Sequence, residues 1–326
     1  MLSRIPLKSG DFVFWRKNRN SNPSAVPLED LRHILESSNV KSCQEGDTLV
    51  VSQEKYTTRI SVLNPPKGRS NNGQIRAIVR ITTVLPAQMQ EVVTAPEMTV
   101  VMNRYAALGA LTWQRNQVFV GSRLTVYEAE DSWKKLHVPL LLLAVLSGTE
   151  AILGAIRRSL YNENGREGNS AWTADDLEQV NHYLSQVCIC TVGRKHFTAE
   201  IGLEAGNVSA TAGHHATALL ELMNDEPHPE LGGGLFCLLQ MPHRLKDHKE
   251  LMQICVQLNT MEMEAQDQPP HFGAWCAGTL GDNPAYVSFY PNFLHSVDGI
   301  AVNAATWAVN RAEWSNRVME SLGVHL

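Results

Sequence analysis

Residues 75–86 read Ile75-Arg76-Ala77-Ile78-Val79-Arg80-Ile81-Thr82-Thr83-Val84-Leu85-Pro86, and residues 235–242 read Leu235-Phe236-Cys237-Leu238-Leu239-Gln240-Met241-Pro242. The first run alternates. Ile75, Ala77, Val79 and Ile81 fall on one face of an extended chain. Gln74, Arg76, Arg80 and Thr82 interleave, with Ile78 the exception. Proline cannot donate to a sheet ladder, so Pro86 ends the first strand and Pro242 closes the second run in the same way.

Working outward, a helix is expected after Pro27, where Leu28, Leu31, Ile34 and Leu35 share a face and Glu29 and Asp30 suit the positive helix start. Strands follow at Thr48–Ser52 and Tyr56–Leu63. Beyond Pro86 a helix is expected over Ala87–Tyr105, with Pro96 able to interrupt it. Leu108–Trp113 and Gln117–Tyr127 read as strands joined across Arg115-Asn116. A long helix is expected from Asp131 to about Arg158, starting or kinking at Pro139. Tyr161–Ser170 is polar and glycine-bearing, a linker composition. The pattern then restarts. Thr173 is placed as an N-cap, Leu177, Val180 and Leu184 form an apolar face, and strands follow at Val187–Val192, His196–Leu203, His215–Met223 and Leu235–Gln240.

The two halves correspond in order. Leu28-Glu29-Asp30-Leu31 resembles Ala174-Asp175-Asp176-Leu177, and Leu85-Pro86 resembles Met241-Pro242. Met102-Asn103 lies as far beyond its proline as Leu258-Asn259 does. Leu108-Gly109-Ala110-Leu111 resembles Phe272-Gly273-Ala274-Trp275, and Val118-Phe119-Val120 resembles Ala285-Tyr286-Val287. The second half carries extra residues between Asn259 and Gly273. A period this long means duplicated domains and not a solenoid. The expected organisation is a basic arm at 1–26, a first repeat at 27–160, a linker at 161–172 and a second repeat at 173–326. Each repeat is an antiparallel sheet packed against helices, an α+β fold.

This order of elements resembles the type III secretion chaperone-like fold, a group that includes the bacterial putative sensory transduction regulator family. The resemblance spans residues 27–158 and 173–326 and is architectural, without a diagnostic motif. It implies a protein that binds other proteins, acts as a homodimer and hydrolyses nothing. Two copies in one chain imply a dimer-like unit within the chain. The sequence departs from the simple secretion chaperones in its length and its mild acidity.

The chain has 326 residues, of which 44% are hydrophobic and 19% charged, with a net charge of −5. That supports a packed core and argues against binding nucleic acid by phosphate neutralisation. Six cysteines are too sparse for a disulfide scaffold. Cys188 and Cys190 would share a strand face as small buried hydrophobes. The N-terminal segment carries Arg4, Lys8, Arg16, Lys17 and Arg19 against Asp11 and has no signal-peptide core. A solvated basic arm is expected, and docking onto an acidic surface is the alternative. Val138–Ile156 is the most apolar stretch. Its densest part, Val138–Leu146, is shorter than a bilayer span, so a buried helix, no membrane and a cytoplasmic address are expected.

Catalytic and metal signatures are missing from the sequence. His214-His215 would point to opposite strand faces, and His243 and His248 are badly spaced for shared coordination. Gly232-Gly233-Gly234 precedes a strand, whereas phosphate loops follow one, so it reads as a hairpin connection. Ser147-Gly148 and Gly121-Ser122 are isolated from any nucleophile motif. The carboxylates Glu221, Asp225, Glu226 and Glu230, and Glu262, Glu264 and Asp267, read as solvated loops. The chain is therefore expected to be no enzyme and to need no cofactor or metal. On the last strand, Tyr286, Ser288 and Tyr290 share one face, and Val287 and Phe289 the other. One face packs on the helices, and the first repeat covers the other or a partner does. Aromatics concentrate at interface cores, so Tyr286, Tyr290 and Phe293 are the candidate partner-binding residues. The reading is a cytoplasmic, non-catalytic protein-binding module, chaperone-like or regulatory, whose partner is a protein or peptide segment, with homodimerisation compatible. The alternatives are a small-molecule-binding protein or enzyme using the cleft between repeats, and a structural subunit with a permanently covered apolar face.

Overall fold

The computed structural model describes residues 28–52, 56–63, 75–114, 117–127, 138–161, 163–203, 216–265, 269–278 and 283–326. The arm at 1–26 lies outside them. The first half runs α1 (Leu28–Ser37), β1 (Ser42–Glu45), β2 (Thr48–Ser52), β3 (Thr57–Leu63), β4 (Ile75–Val84), α2 (Ala87–Gln90), α3 (Pro96–Met102), β5 (Ala110–Gln114), β6 (Gln117–Tyr127) and α4 (Val138–Tyr161). The second runs α5 (Ala174–Leu184), β7 (Ile189–Val192), β8 (His196–Gly202), β9 (Thr217–Met223), β10 (Gly234–Gln240), α6 (His248–Glu264), β11 (Ala274–Ala277), β12 (Pro284–Pro291) and α7 (Ile300–Ser321). Two antiparallel six-stranded sheets result, ordered β1-β2-β3-β4-β6-β5 and β7-β8-β9-β10-β12-β11. The strand order is the same in both, with helices against them, an α+β architecture.

Local chemistry explains most boundaries. Thr173 and Asp176 cap α5 reciprocally: the Thr173 N–H donates to Asp176 Oδ2 at 2.7 Å. Asp247 opens α6 by accepting from the Glu250 N–H at 2.8 Å. The helix expected over Ala87–Tyr105 is divided, because Pro96 restarts it as the first residue of α3. Helix α4 is described from Val138, with Pro139 inside it; the expected start at Asp131 lies outside the described residues. Among the described residues α4 is the one helix long and apolar enough to cross a membrane. However, 67% of its apolar window is buried within the protein. Strand β1 was not expected from the sequence. It is a four-residue, mostly exposed edge strand without alternation.

Matching registers align the halves. Ile81 pairs with Ser122 where Cys237 pairs with Ser288, each four residues before the residue preceding the proline. Leu111 pairs with Val120 where Trp275 pairs with Tyr286. The structural counterpart of Ala285-Tyr286-Val287 is thus Phe119-Val120-Gly121, one residue later than the sequence comparison placed it. Asn103 and Asn259 match in detail. Each is buried, accepts from one backbone N–H and donates to the carbonyl of the same residue, Leu111 at 2.7 and 3.0 Å and Trp275 at 2.8 and 2.8 Å.

The halves pack together. Helix α3 lies against α6, α6 reaches β5 and β6 of the first sheet, and α3 with the 3₁₀ turn Asn103–Tyr105 reaches β11 of the second. Buried side chains from both halves form one connected core. The connection 163–173 is pinned rather than loose: Ser170 Oγ donates to the Gly234 carbonyl at 2.8 Å, and Trp172 Nε1 to the Tyr290 carbonyl at 3.3 Å.

Candidate functional site: a groove on the second sheet

The alternation of β12 holds, but its faces are disposed opposite to the candidate site. Tyr286 and Tyr290 are 1% and 3% exposed and lie on the helix-covered face, level with Leu239 and Leu235 of β10. Neither is available to a partner in the single chain. Phe293, in the 3₁₀ turn Asn292–Ser296, is 43% exposed and lies apart from them. For Tyr286 the physical reason is its polar end and ring face. Tyr286 Oη sits 3.4 Å from His271 Nδ1, and its ring carries the Arg311 guanidinium 3.9 Å from its centroid. An amphipathic ring is stable inside when its polar end and π face find partners.

The opposite face opens to a groove. Phe236 and Leu238 of β10 and Val287 and Phe289 of β12 make an apolar floor. The groove holds about 730 Å³, within the range of ordinary ligand sites. Arg104, Tyr105 and Ala106 of the first half form one wall, and Glu221, Glu226, His228 and Gln240 also line it. The sequence reading missed Arg104, His228 and the floor residues of β10 as site residues. Val287 and Phe289 were legible only as the other face of an aromatic strand.

The walls are held by specific contacts. His228 Nε2 lies 3.1 Å from the Tyr105 carbonyl, its Nδ1 accepts from the Glu230 and Leu231 N–H groups at 3.1 and 3.3 Å, and its ring packs 5.2 Å from Phe289. Burial lowers its pKa, partly offset by the Tyr105 carbonyl and Glu230. Gln240 Nε2 donates to Glu221 Oε1 at 3.2 Å. Glu230, expected in a solvated loop, instead pairs with Arg158 at the end of α4.

The corresponding face of the first sheet is filled. Met263 at the end of α6 lies over Gly121, where an added Cβ would come 2.7 Å from the methionine Cε. Arg80 donates to the Met263 carbonyl at 3.3 Å, and Arg123 to the Pro269 carbonyl at 2.7 Å. His271 and Arg123 exchange both backbone hydrogen bonds, at 2.8 and 3.3 Å. The difference lies in chain length. Eight residues lead from Asn103 to Leu111, but sixteen from Asn259 to Trp275. The longer connection covers the first sheet, and the shorter one leaves the second sheet's groove open.

Glu262 departs furthest from its sequence reading. It is buried, with Oε1 2.6 Å from Arg311 Nε and 3.2 Å from His271 Nδ1, while Oε2 accepts from Trp275 Nε1 at 2.8 Å. Burial alone would push its carboxyl up, but Arg311, His271 and Arg123 hold it well below the usual carboxylate range. Burial lowers His271 despite the Glu262 carboxylate. The cluster ties α6, α7 and the second sheet together, shut off from solvent, and no substrate can reach it in this conformation. A signal was available. Glu262 continues the spacing of Leu251, Cys255 and Leu258 along the buried face of α6.

The remaining candidates stand apart. His243 is buried and His248 exposed. His214, His215 and Asp267 lie outside the described residues. Ser122 is committed, donating to the Leu108 carbonyl at 2.5 Å. Cys190 lies on β7 and Cys188 just before it, both half-buried, with Cys190 Sγ 3.7 Å from the Cys188 carbonyl. Gly232 has φ of +70° and begins the approach to β10. Among the described residues no three His, Cys, Asp or Glu side chains gather in a way that would hold a metal ion. No protein-family model matches the sequence, nor does any curated protein or solved structure.

Proposed function

We propose that this is a non-catalytic protein-binding module. Two chaperone-like α+β repeats pack as a dimer-like unit within one chain, and the groove on the second sheet accepts an extended peptide segment. The observation that carries this reading is the contrast between the two sheets. On the first, the chain's own residues cover the outer face: Met263 of α6 lies over Gly121, the Pro269 carbonyl accepts from the Arg123 side chain, and His271 pairs with the Arg123 backbone. On the second, the matching face is a groove whose apolar floor is Phe236, half-buried, with Leu238, Val287 and Phe289 buried beside it. A surface that in one copy is covered by the chain, with a backbone bridge at His271, is suited to take an extended peptide in the other, by strand addition with side chains in apolar pockets.

The test is a random-peptide display selection against the full-length protein, followed by titration of enriched peptides against wild type and Phe236→Glu. Phe236 is the half-buried residue of the groove floor. Burying a carboxylate against the ligand should weaken binding by at least about tenfold. Failure to enrich any peptide, or binders indifferent to the substitution, would overturn the reading.

A further inference from the structure

We propose that His228 is an acid-sensitive latch between the two halves: neutral, it closes its own turn and ties the groove wall to Tyr105, and protonated, it releases both. The proposal goes beyond the peptide-binding reading and does not need it. The geometry fixes where the proton sits. Nε2 lies 3.1 Å from the Tyr105 carbonyl, which can only accept, so Nε2 carries the hydrogen. Nδ1 faces the Glu230 and Leu231 N–H groups at 3.1 and 3.3 Å, which can only donate, so Nδ1 carries the lone pair. One neutral tautomer satisfies all three contacts. A second proton has one place to go, Nδ1, where it meets two N–H groups and removes the acceptor of both.

The surroundings make the response local. Pro227 and Pro229 flank the histidine, and their fixed φ stiffens the segment. Backbone hydrogen bonds exchanged by His228 and Gly232, both 2.9 Å, close the turn around Nδ1. The far side of the turn is held independently. The Arg166 N–H donates to the Pro229 carbonyl at 2.7 Å, and Glu230 pairs with Arg158 of α4. On the near side, Nε2 makes the bond to the first half. The titratable and charged groups around the ring are Glu226 and Glu230 from its own segment, Arg158 from α4, and Arg104 and Tyr105 from the 3₁₀ turn. Strand β12 presents the apolar ring of Phe289. Glu230 favours the imidazolium, but Arg158 engages its carboxylate, and burial outweighs both it and the Tyr105 carbonyl in keeping the ring neutral. A histidine held neutral in the closed state is protonated more readily in the open one. Closure is therefore complete above about pH 6.5 and weakens as pH falls below it.

The experiment is amide hydrogen exchange by NMR on the full-length protein at pH 7 and pH 5, corrected for the intrinsic rate at each pH. Protection of the Glu230 and Leu231 amides should fall by roughly tenfold at pH 5, and that of the Leu239 amide in β10 by clearly less. The ring nitrogens of His228, read in the same protein labelled with ¹⁵N-histidine, should show the Nε2–H tautomer at pH 7 and imidazolium as the amides lose protection. In His228→Asn the side-chain carbonyl accepts both N–H groups but does not titrate, so the difference between the two pH values should vanish. The wild-type measurements decide the matter even if that variant fails to fold. Protection unchanged at pH 5, an equal loss at Leu239, an Nδ1–H tautomer at pH 7, or the same pH dependence in folded His228→Asn would each overturn the proposal. No ligand enters the readout, so failure to enrich peptides would leave the latch standing, and peptides that bind while protection is unchanged would remove the latch alone.

Discussion

Tyr286 and Glu262 show how a residue's surroundings decide its role. Tyrosine on an apolar strand suggests an interface, and glutamate in a polar run suggests solvent, yet each is inside because a charged partner lies beside it. Removing that partner should be costly. Glu262→Gln leaves the Arg311 guanidinium buried without its counter-ion, and a loss of about 3–5 kcal/mol is expected in urea denaturation. Arg311→Met added to Glu262→Gln should recover part of it, because the Arg311 charge is then removed along with its counter-ion. Histidines give a second residue-scale prediction. Burial pushes His243 down to about 4, against smaller upward effects of Asn316 and Glu320. Burial lowers His228 and His271 as well. A histidine lowered on folding is protonated more readily in the unfolded chain. Stability should therefore fall as pH drops from about 6.5 toward 4, and the urea midpoint should be lower at pH 5 than at pH 7. His243→Phe should flatten that dependence, and an unchanged slope would remove His243 as its source.

Among the elements, the paired asparagines carry the clearest correspondence. The Asn103 amide holds the end of α3 against β5, and the Asn259 amide holds α6 against β11. Truncating either to alanine strands a buried N–H and a buried carbonyl, each worth about 1–3 kcal/mol. Asn103→Ala and Asn259→Ala should thus each cost about 3 kcal/mol by urea denaturation, and by similar amounts. A large cost at one and none at the other would speak against equivalent roles. The match of Met102-Asn103 with Leu258-Asn259 was legible from distance to the proline, before any bond was known. Strand β1 was not, since four mostly polar residues on an edge carry no periodic signal. The register of β12 was misplaced by one residue, because alternation fixes which residues share a face but not which neighbour each one meets.

Over the whole molecule, the connected core and the reciprocal packing of α3 and α6 bind the halves into one cooperative unit. Trp172, Trp275, Trp307 and Trp314 are buried in the second half, so tryptophan fluorescence reports mainly there, while far-UV circular dichroism reports both halves. The two unfolding curves in urea should coincide. A separate transition seen by circular dichroism alone would show that the halves unfold independently. Read by itself, the sequence determined the strands with strong alternation, the helix start at Thr173, the strand ends at Pro86 and Pro242, and the order shared by the two halves. These are local signals, set by backbone geometry and by hydrogen bonds a few residues apart. Only the tertiary structure decided which face of β12 turns inward, that Glu262 is paired in the core, and that one sheet is covered while the other keeps a groove. Each of those depends on what residues far along the chain bring against the sheet, and no local periodicity records that.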